Sequence, residues 1–69
     1  MKLSARNKLV GTVTSIIRGE AIANVALDVA GQRLVASITV EAVDELGLHE
    51  GAPVTAVIKA SDVIVATDD

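Results

Sequence analysis

The sequence predicts an all-β fold: five short strands in a small Greek-key barrel, with one short helix between the third and fourth strands. Three observations carry this expectation. Runs rich in Val, Ile, Thr and Ala alternate at strand length. Glycine-bearing turns interrupt those runs at short intervals. The two-residue period gives way to a helical one only between Val40 and Leu46. The chain has 69 residues, which is the size of one domain, and residues 1–69 are read as a single unit without linker, repeat or low-complexity stretch.

The first strand is expected at Leu9–Arg18. Leu9, Val13 and Ile17 share one face, and Val10, Thr12, Thr14 and Ile16 the other, so both faces are partly covered. Arg18-Gly19-Glu20 turns the chain. Ala21–Val29 alternates cleanly, with Ala21, Ala23, Val25, Leu27 and Val29 opposite Asn24 and Asp28. Ala30-Gly31 makes the next hairpin, where Gly31 is free to take positive φ. Arg33–Val40 is the third strand, with Leu34, Ala36, Ile38 and Val40 on one face. These strands form a meander.

A helix follows over Val40–Leu46. The Thr39 hydroxyl suits an N-cap, and Glu41, Asp44 and Glu45 populate a short acidic turn. Val43 and Leu46 are spaced to face the barrel, and Gly47 fits the left-handed stop. His49–Pro53 is a loop. Val54–Lys59 is the fourth strand, with Val54, Ala56 and Ile58 inward. Ala60-Ser61-Asp62 breaks the pattern, Val63–Ala66 is the fifth strand, and Thr67–Asp69 is a frayed tail. This element order is that of an OB-like barrel.

The composition sets up a conflict for a monomer. Hydrophobic residues make up 51% of the chain and the mean hydropathy is +0.54. A domain this small buries only about 60% of the surface its unfolded chain exposes. The apolar residues are Val, Ala, Ile and Leu, with no Phe, Tyr or Trp. Some must lie on outer faces, and large apolar patches mark interfaces, so self-association is expected. The absence of cysteine excludes disulfides, thiolate metal sites and cysteine nucleophiles, and fits a reducing compartment. The opening MKLSARNK is too polar for a signal peptide, and no apolar run reaches the roughly 18 residues of a membrane span. The expected location is the cytoplasm, with no membrane partner.

Catalysis finds little support. The one histidine, His49, sits in a loop before Glu50-Gly51 and reads as a solvated turn residue. Glu41, Asp44 and Glu45 read as a solvated helix face. No phosphate-loop glycine motif occurs, and scattered carboxylates with one histidine make a poor metal site. The barrel raises nucleic-acid binding, but single-strand binders of this kind stack bases on aromatic rings along a basic groove. This chain has no aromatic residue and a net charge of −3. Fold alone does not decide function.

A small anion fits the residues better. Three stretches combine short donors with a cation or a helix start: Ser4-Ala5-Arg6-Asn7, Ser37-Ile38-Thr39, and Lys59-Ala60-Ser61. A tetrahedral dianion only accepts hydrogen bonds, so it calls for hydroxyls, free backbone N–H groups and one or two positive charges. Strand ends and irregular backbone supply such N–H groups, and Ala5 and Ala60 let the backbone approach closely. Lys59 is also the only cation in the second half of the chain.

These residues resemble the molbindin family of small molybdate-binding proteins. The likeness rests on Ser-Ala-Arg-Asn-x-Leu at positions 4–9, Ile38-Thr39, Glu45-Leu46-Gly47, and Thr55–Ala60 with Ser61, and it covers essentially the whole chain. It implies an OB-like module that assembles as a homo-hexamer, a trimer of dimers, and holds molybdate or tungstate at subunit interfaces without an organic cofactor. Carried over position by position, the oxyanion would meet Ser4, Ala5, Arg6, Thr39, Lys59, Ala60 and Ser61. One departure stands out. Relatives often carry serine three residues after the threonine, where this chain has Ala42. The implied role is intracellular molybdenum storage, buffering or delivery. Two other readings stay open: a structural oligomerisation module with vestigial anion pockets, and an OB-type nucleic-acid-binding module.

Overall fold

Backbone pairing over long sequence distances organises the chain. The structure, a computed structural model, describes residues 2–68, so Met1 and the tail residue Asp69 lie outside the described residues. Strands β1 (Asn7–Arg18), β2 (Ile22–Val29) and β3 (Gln32–Thr39) form the expected meander. Helix α1 covers Val40–Leu46, and β4 (Pro53–Ile58) returns to lie antiparallel beside β1. The sheet order is β3-β2-β1-β4.

Local chemistry explains the meander and the helix. Ala30 and Gly31 both take positive φ, 50° and 84°, as a two-residue hairpin turn matched to strand twist requires. The Thr39 side chain accepts a hydrogen bond from the Ala42 N–H at 3.0 Å, which caps α1. Gly47 closes the helix at φ 63°, with the N–H groups of Gly47 and Leu48 donating back to the Asp44 and Val43 carbonyls. That is the Schellman arrangement, which satisfies carbonyls the helix end would leave bare. Val40 N–H also donates to the Ala21 carbonyl, tying α1 to the β1–β2 turn.

The first strand departs from the simple alternation. Val13 pairs with Leu27 and Ser15 with Ala26, so Thr14 is an extra residue, a β-bulge. The Thr14 hydroxyl donates to the Ala26 carbonyl at 3.1 Å. The extra residue inverts the face parity of everything after it. Ile16, expected on the face opposite Val13, packs against the core, and Ile17, expected on the face of Val13, is 69% exposed. At the same point β1 meets the loop before β4: Val13 N–H donates to Ala52, and Gly51 N–H to Val13.

The core is small and aliphatic: Val13, Ala23, Val25, Leu27, Val43 and Ala52. Val43 of α1 is completely buried, so the helix plugs one end of the curled sheet. Leu46, expected to face inward with it, is 68% exposed. A seven-residue helix presents a narrow stripe, and here only Val43 occupies its buried part.

The fold is all-β with one short helix, as expected, but the fifth expected strand does not form within the described residues. Four strands form an open sheet among the described residues, with β3 and β4 as its edges. After β4, a 3₁₀ turn at Ala60–Asp62 carries the chain off the ladder, and Val63–Ala66 is not a strand. A strand requires neighbouring backbone to pair with, and this segment meets none in its own chain. Ile64 and Val65 are 93% and 84% exposed. Between the edges lies an apolar hollow of about 300 Å³, lined by the inward residues Leu34, Ala36, Ile38, Val54, Ala56 and Ile58.

Candidate oxyanion-binding site

Two of the donor stretches converge because β1 and β4 pair in one particular register. Asn7 is the partner of Ile58, and the ladder ends there. Arg6 and Lys59 therefore leave the sheet side by side, followed in opposite chain directions by Ala5-Ser4 and Ala60-Ser61. Ser4, Arg6, Lys59, Ala60 and Ser61 are exposed, while Ala5 is buried at 8%. The buried alanine anchors the Ser4–Arg6 segment against the fold and keeps its backbone close to it.

The turn after β4 is suited to donating. Lys59 takes extended geometry at φ −65° and ψ 137°, just before Ala60–Asp62. The turn's own bonds run from Asp62 N–H to Lys59 at 2.9 Å and from Val63 N–H to Ala60 at 3.3 Å. They do not consume the N–H groups of Ala60 and Ser61, as expected at the start of a helical turn. The two segments that leave this end of the sheet thus carry two hydroxyls, one guanidinium, one ammonium and backbone donors. Lys8, in register with Val57, adds a further cation two residues from Arg6. One acidic residue, Asp62, directly follows Ser61 in the same turn.

Thr39 is not brought into this group. It pairs with Ile22, and Arg18 pairs with Ala23, so it sits beside the far end of β1. β1 runs from Asn7 to Arg18, a contour of roughly 36 Å at about 3.3 Å per residue step. Ser37 of the same stretch is opposite Asn24 on β2. A pocket for one tetrahedral anion cannot span that separation within one chain. The Thr39 hydroxyl spends an acceptor position on the Ala42 N–H but keeps its own O–H to donate. The Ala42 N–H is committed to that cap, so it does not replace a missing serine hydroxyl there. Glu20, Glu41, Asp44 and Glu45 populate this far end, where Arg18 pairs with Asp44 at 3.0 Å.

Other chemistry is absent among the described residues. No group of three or more His, Asp or Glu side chains could hold a metal ion. His49 is exposed, with Nδ1 3.0 Å from the Glu50 carbonyl oxygen. No helix is long and apolar enough to cross a membrane. The first donor stretch was expected to end at Asn7, before a strand beginning at Leu9, but Asn7 is the first residue of β1. Its Nδ2 donates to the Ile58 carbonyl at 3.2 Å, across a sequence separation of 51 residues.

Comparison with known proteins identifies the family. The family model described as the TOBE domain matches residues 3–65. Molybdenum-pterin-binding protein 1 of Clostridium pasteurianum is 46% identical over 66 residues, which cover 94% of this chain and 97% of that protein. A molybdate-binding protein from Sporomusa ovata superposes with a TM-score of 0.93 at 43% identity, covering 97% of this chain and all of its own. The cytoplasmic molybdate-binding protein ModG, in a molybdate-bound crystal form, gives a TM-score of 0.88 at 51% identity, and this chain spans 46% of it. These relatives are binding proteins rather than enzymes. The chain belongs to the TOBE-domain family, as a small member of the molbindin, or molybdenum-pterin-binding protein, kind.

Proposed function

We propose that this chain is a molybdate-binding module, residues 1–69, that takes up molybdate and tungstate between copies of itself and serves intracellular molybdenum storage and buffering. The observation that supports this reading is the Asn7–Ile58 register, from which the segments Ser4–Arg6 and Lys59–Ser61 leave at the same end of the sheet with the kinds of donor and positive charge a tetrahedral dianion needs. Molybdate-binding relatives that match nearly the whole chain name the anion.

Assembly is part of the same proposal, for two reasons. Thr39 reaches the oxyanion only from a second copy, and its acidic end complements the basic end formed by Arg6, Lys8 and Lys59. The open sheet also calls for a partner. Val63–Ala66 is apolar and joins no strand of its own chain, while the hollow between the edge strands β3 and β4 is apolar. Insertion of this segment from a second copy supplies the fifth strand, closes the Greek-key barrel and hides the edges that would otherwise invite aggregation. Further exposed apolar residues, Val10 and Ile17 among them, leave surface for pairs to build a hexamer.

The native mass, measured with and without molybdate, tests both parts. The expected result is an oligomer of several 7.1 kDa chains whose melting temperature rises with molybdate or tungstate far more than with equimolar chloride or nitrate. A folded monomer, or equal shifts with every anion, refutes the proposal. The purely structural reading draws on Ala42, where a hydroxyl is missing and the backbone N–H is occupied. It predicts the same oligomer without anion-specific stabilisation. A nucleic-acid role has no such support in a chain of net charge −3 without aromatic rings.

A further inference from the structure

We propose that Asn7 is the positioning residue of the oxyanion site: its side-chain amide cross-links β1 to β4 at the last rung of the ladder and so sets the spacing between the two donor segments. The inference rests on the oxyanion reading of this end of the sheet and adds a residue that makes no contact with the anion.

Asn7 directly follows Arg6, and Ile58 directly precedes Lys59. The bond from Asn7 Nδ2 to the Ile58 carbonyl therefore lies one residue from each donor segment. Beyond this rung neither segment has a strand partner, and all their side chains except Ala5 are exposed. Free segments at a strand end fray, with opening energies near zero. An anion of fixed size needs its donors at fixed separation, and ordering them in advance lowers the entropic cost of binding. A cross-link at the last rung provides that order.

The residue type supports the assignment. Asn7 shares the inward face with Leu9, Gly11 and Val13, and it is half-buried. Asparagine is disfavoured in strands. A buried polar side chain is costly unless it is hydrogen-bonded, and the Ile58 carbonyl supplies the partner. Barrel packing alone would be better served by valine or threonine. Asparagine offers what they lack, a planar amide long enough to reach across the ladder and donate.

The experiment is a double-mutant cycle on the intact oligomer, read by calorimetric titration with sodium molybdate. It compares wild type, Asn7→Ala, Lys59→Ala and the double variant, with Asn7→Asp as an isosteric control that exchanges the donor for an acceptor. Native mass and ligand-free melting temperature are recorded for each protein. Asn7→Ala is expected to weaken molybdate binding about two- to twelvefold, the loss of one neutral hydrogen bond. Asn7→Asp is expected to weaken it more. The double variant should bind little worse than Lys59→Ala alone, because the effect of Asn7 passes through the placement of Lys59. Wild-type affinity in Asn7→Ala, or losses that simply multiply in the double variant, overturn the assignment while leaving the site in place. Wild-type affinity in Lys59→Ala removes Lys59 from the site, and the positioning role with it, whereas a wild-type protein that takes up no molybdate overturns the oxyanion reading itself. Should Asn7→Ala fail to assemble, the isosteric Asn7→Asp protein carries the cycle.

Discussion

Ile64→Asp separates the single chain from its assembly. Within one chain Ile64 is 93% exposed, so the substitution removes no packing, and a surface change of this kind stays within about 0.5 kcal/mol of neutral. In the proposed assembly the side chain enters the apolar hollow of a second copy, and nearly all of its surface leaves water. Burying an isoleucine is worth about 1.5–3 kcal/mol. Two copies exchanging segments by a two-fold operation lose this twice, so a dimer loses roughly 3–6 kcal/mol. That raises the dissociation constant by about two to four orders of magnitude. The unpaired carboxylate among Leu34, Ile38 and Val54 adds a further penalty of the same sign. Sedimentation equilibrium over a wide concentration range reads the shift directly, and circular dichroism reports whether the strands persist. An Ile64→Asp protein that keeps the wild-type mass and concentration dependence would refute the exchange of this segment.

Three further outcomes test the site and the sheet. Lys59→Ala should weaken molybdate binding by about 1.5–3 kcal/mol, tenfold to somewhat over a hundredfold, as for a charge-assisted hydrogen bond; calorimetry that returns the wild-type affinity removes Lys59 from the site. Thr39→Asp keeps a good N-cap for α1, so the ligand-free melting temperature should change little while a carboxylate facing the anion lowers affinity by more than tenfold. Unchanged molybdate uptake by that variant places Thr39 outside the pocket. Gly11→Ala should destabilise the fold by about 1–3 kcal/mol in urea unfolding. Its new methyl would collide with the Asp28 carbonyl oxygen and lie 2.9 Å from Val29 Cγ2 on the neighbouring strand, so a neutral result would contradict the β1–β2 geometry.

The local parts of this protein are legible in its sequence because short-range chemistry decides them. Thr39 caps α1 and Gly47 ends it through bonds spanning three to five residues, and the helix covers Val40–Leu46 as expected. The Ala30-Gly31 hairpin has the same origin. The donor stretches at Ser4–Arg6, Thr39 and Lys59–Ser61 are also plain as residue types, since the chemistry of an oxyanion selects them wherever they lie. Their grouping is another matter. The Thr14 bulge, which turns Ile16 inward and Ile17 outward, depends on how β1 pairs with β2, and an alternating pattern with adjacent isoleucines fits either parity. That Arg6 lies beside Lys59 while Thr39 stands at the far end of β1 follows from ladders joining residues dozens of positions apart. Val63–Ala66 has the composition of a strand, yet composition carries no information about who supplies the neighbouring edge. Backbone hydrogen bonding decides that, and in this chain the sheet opens between β3 and β4 with the edge groups unpaired.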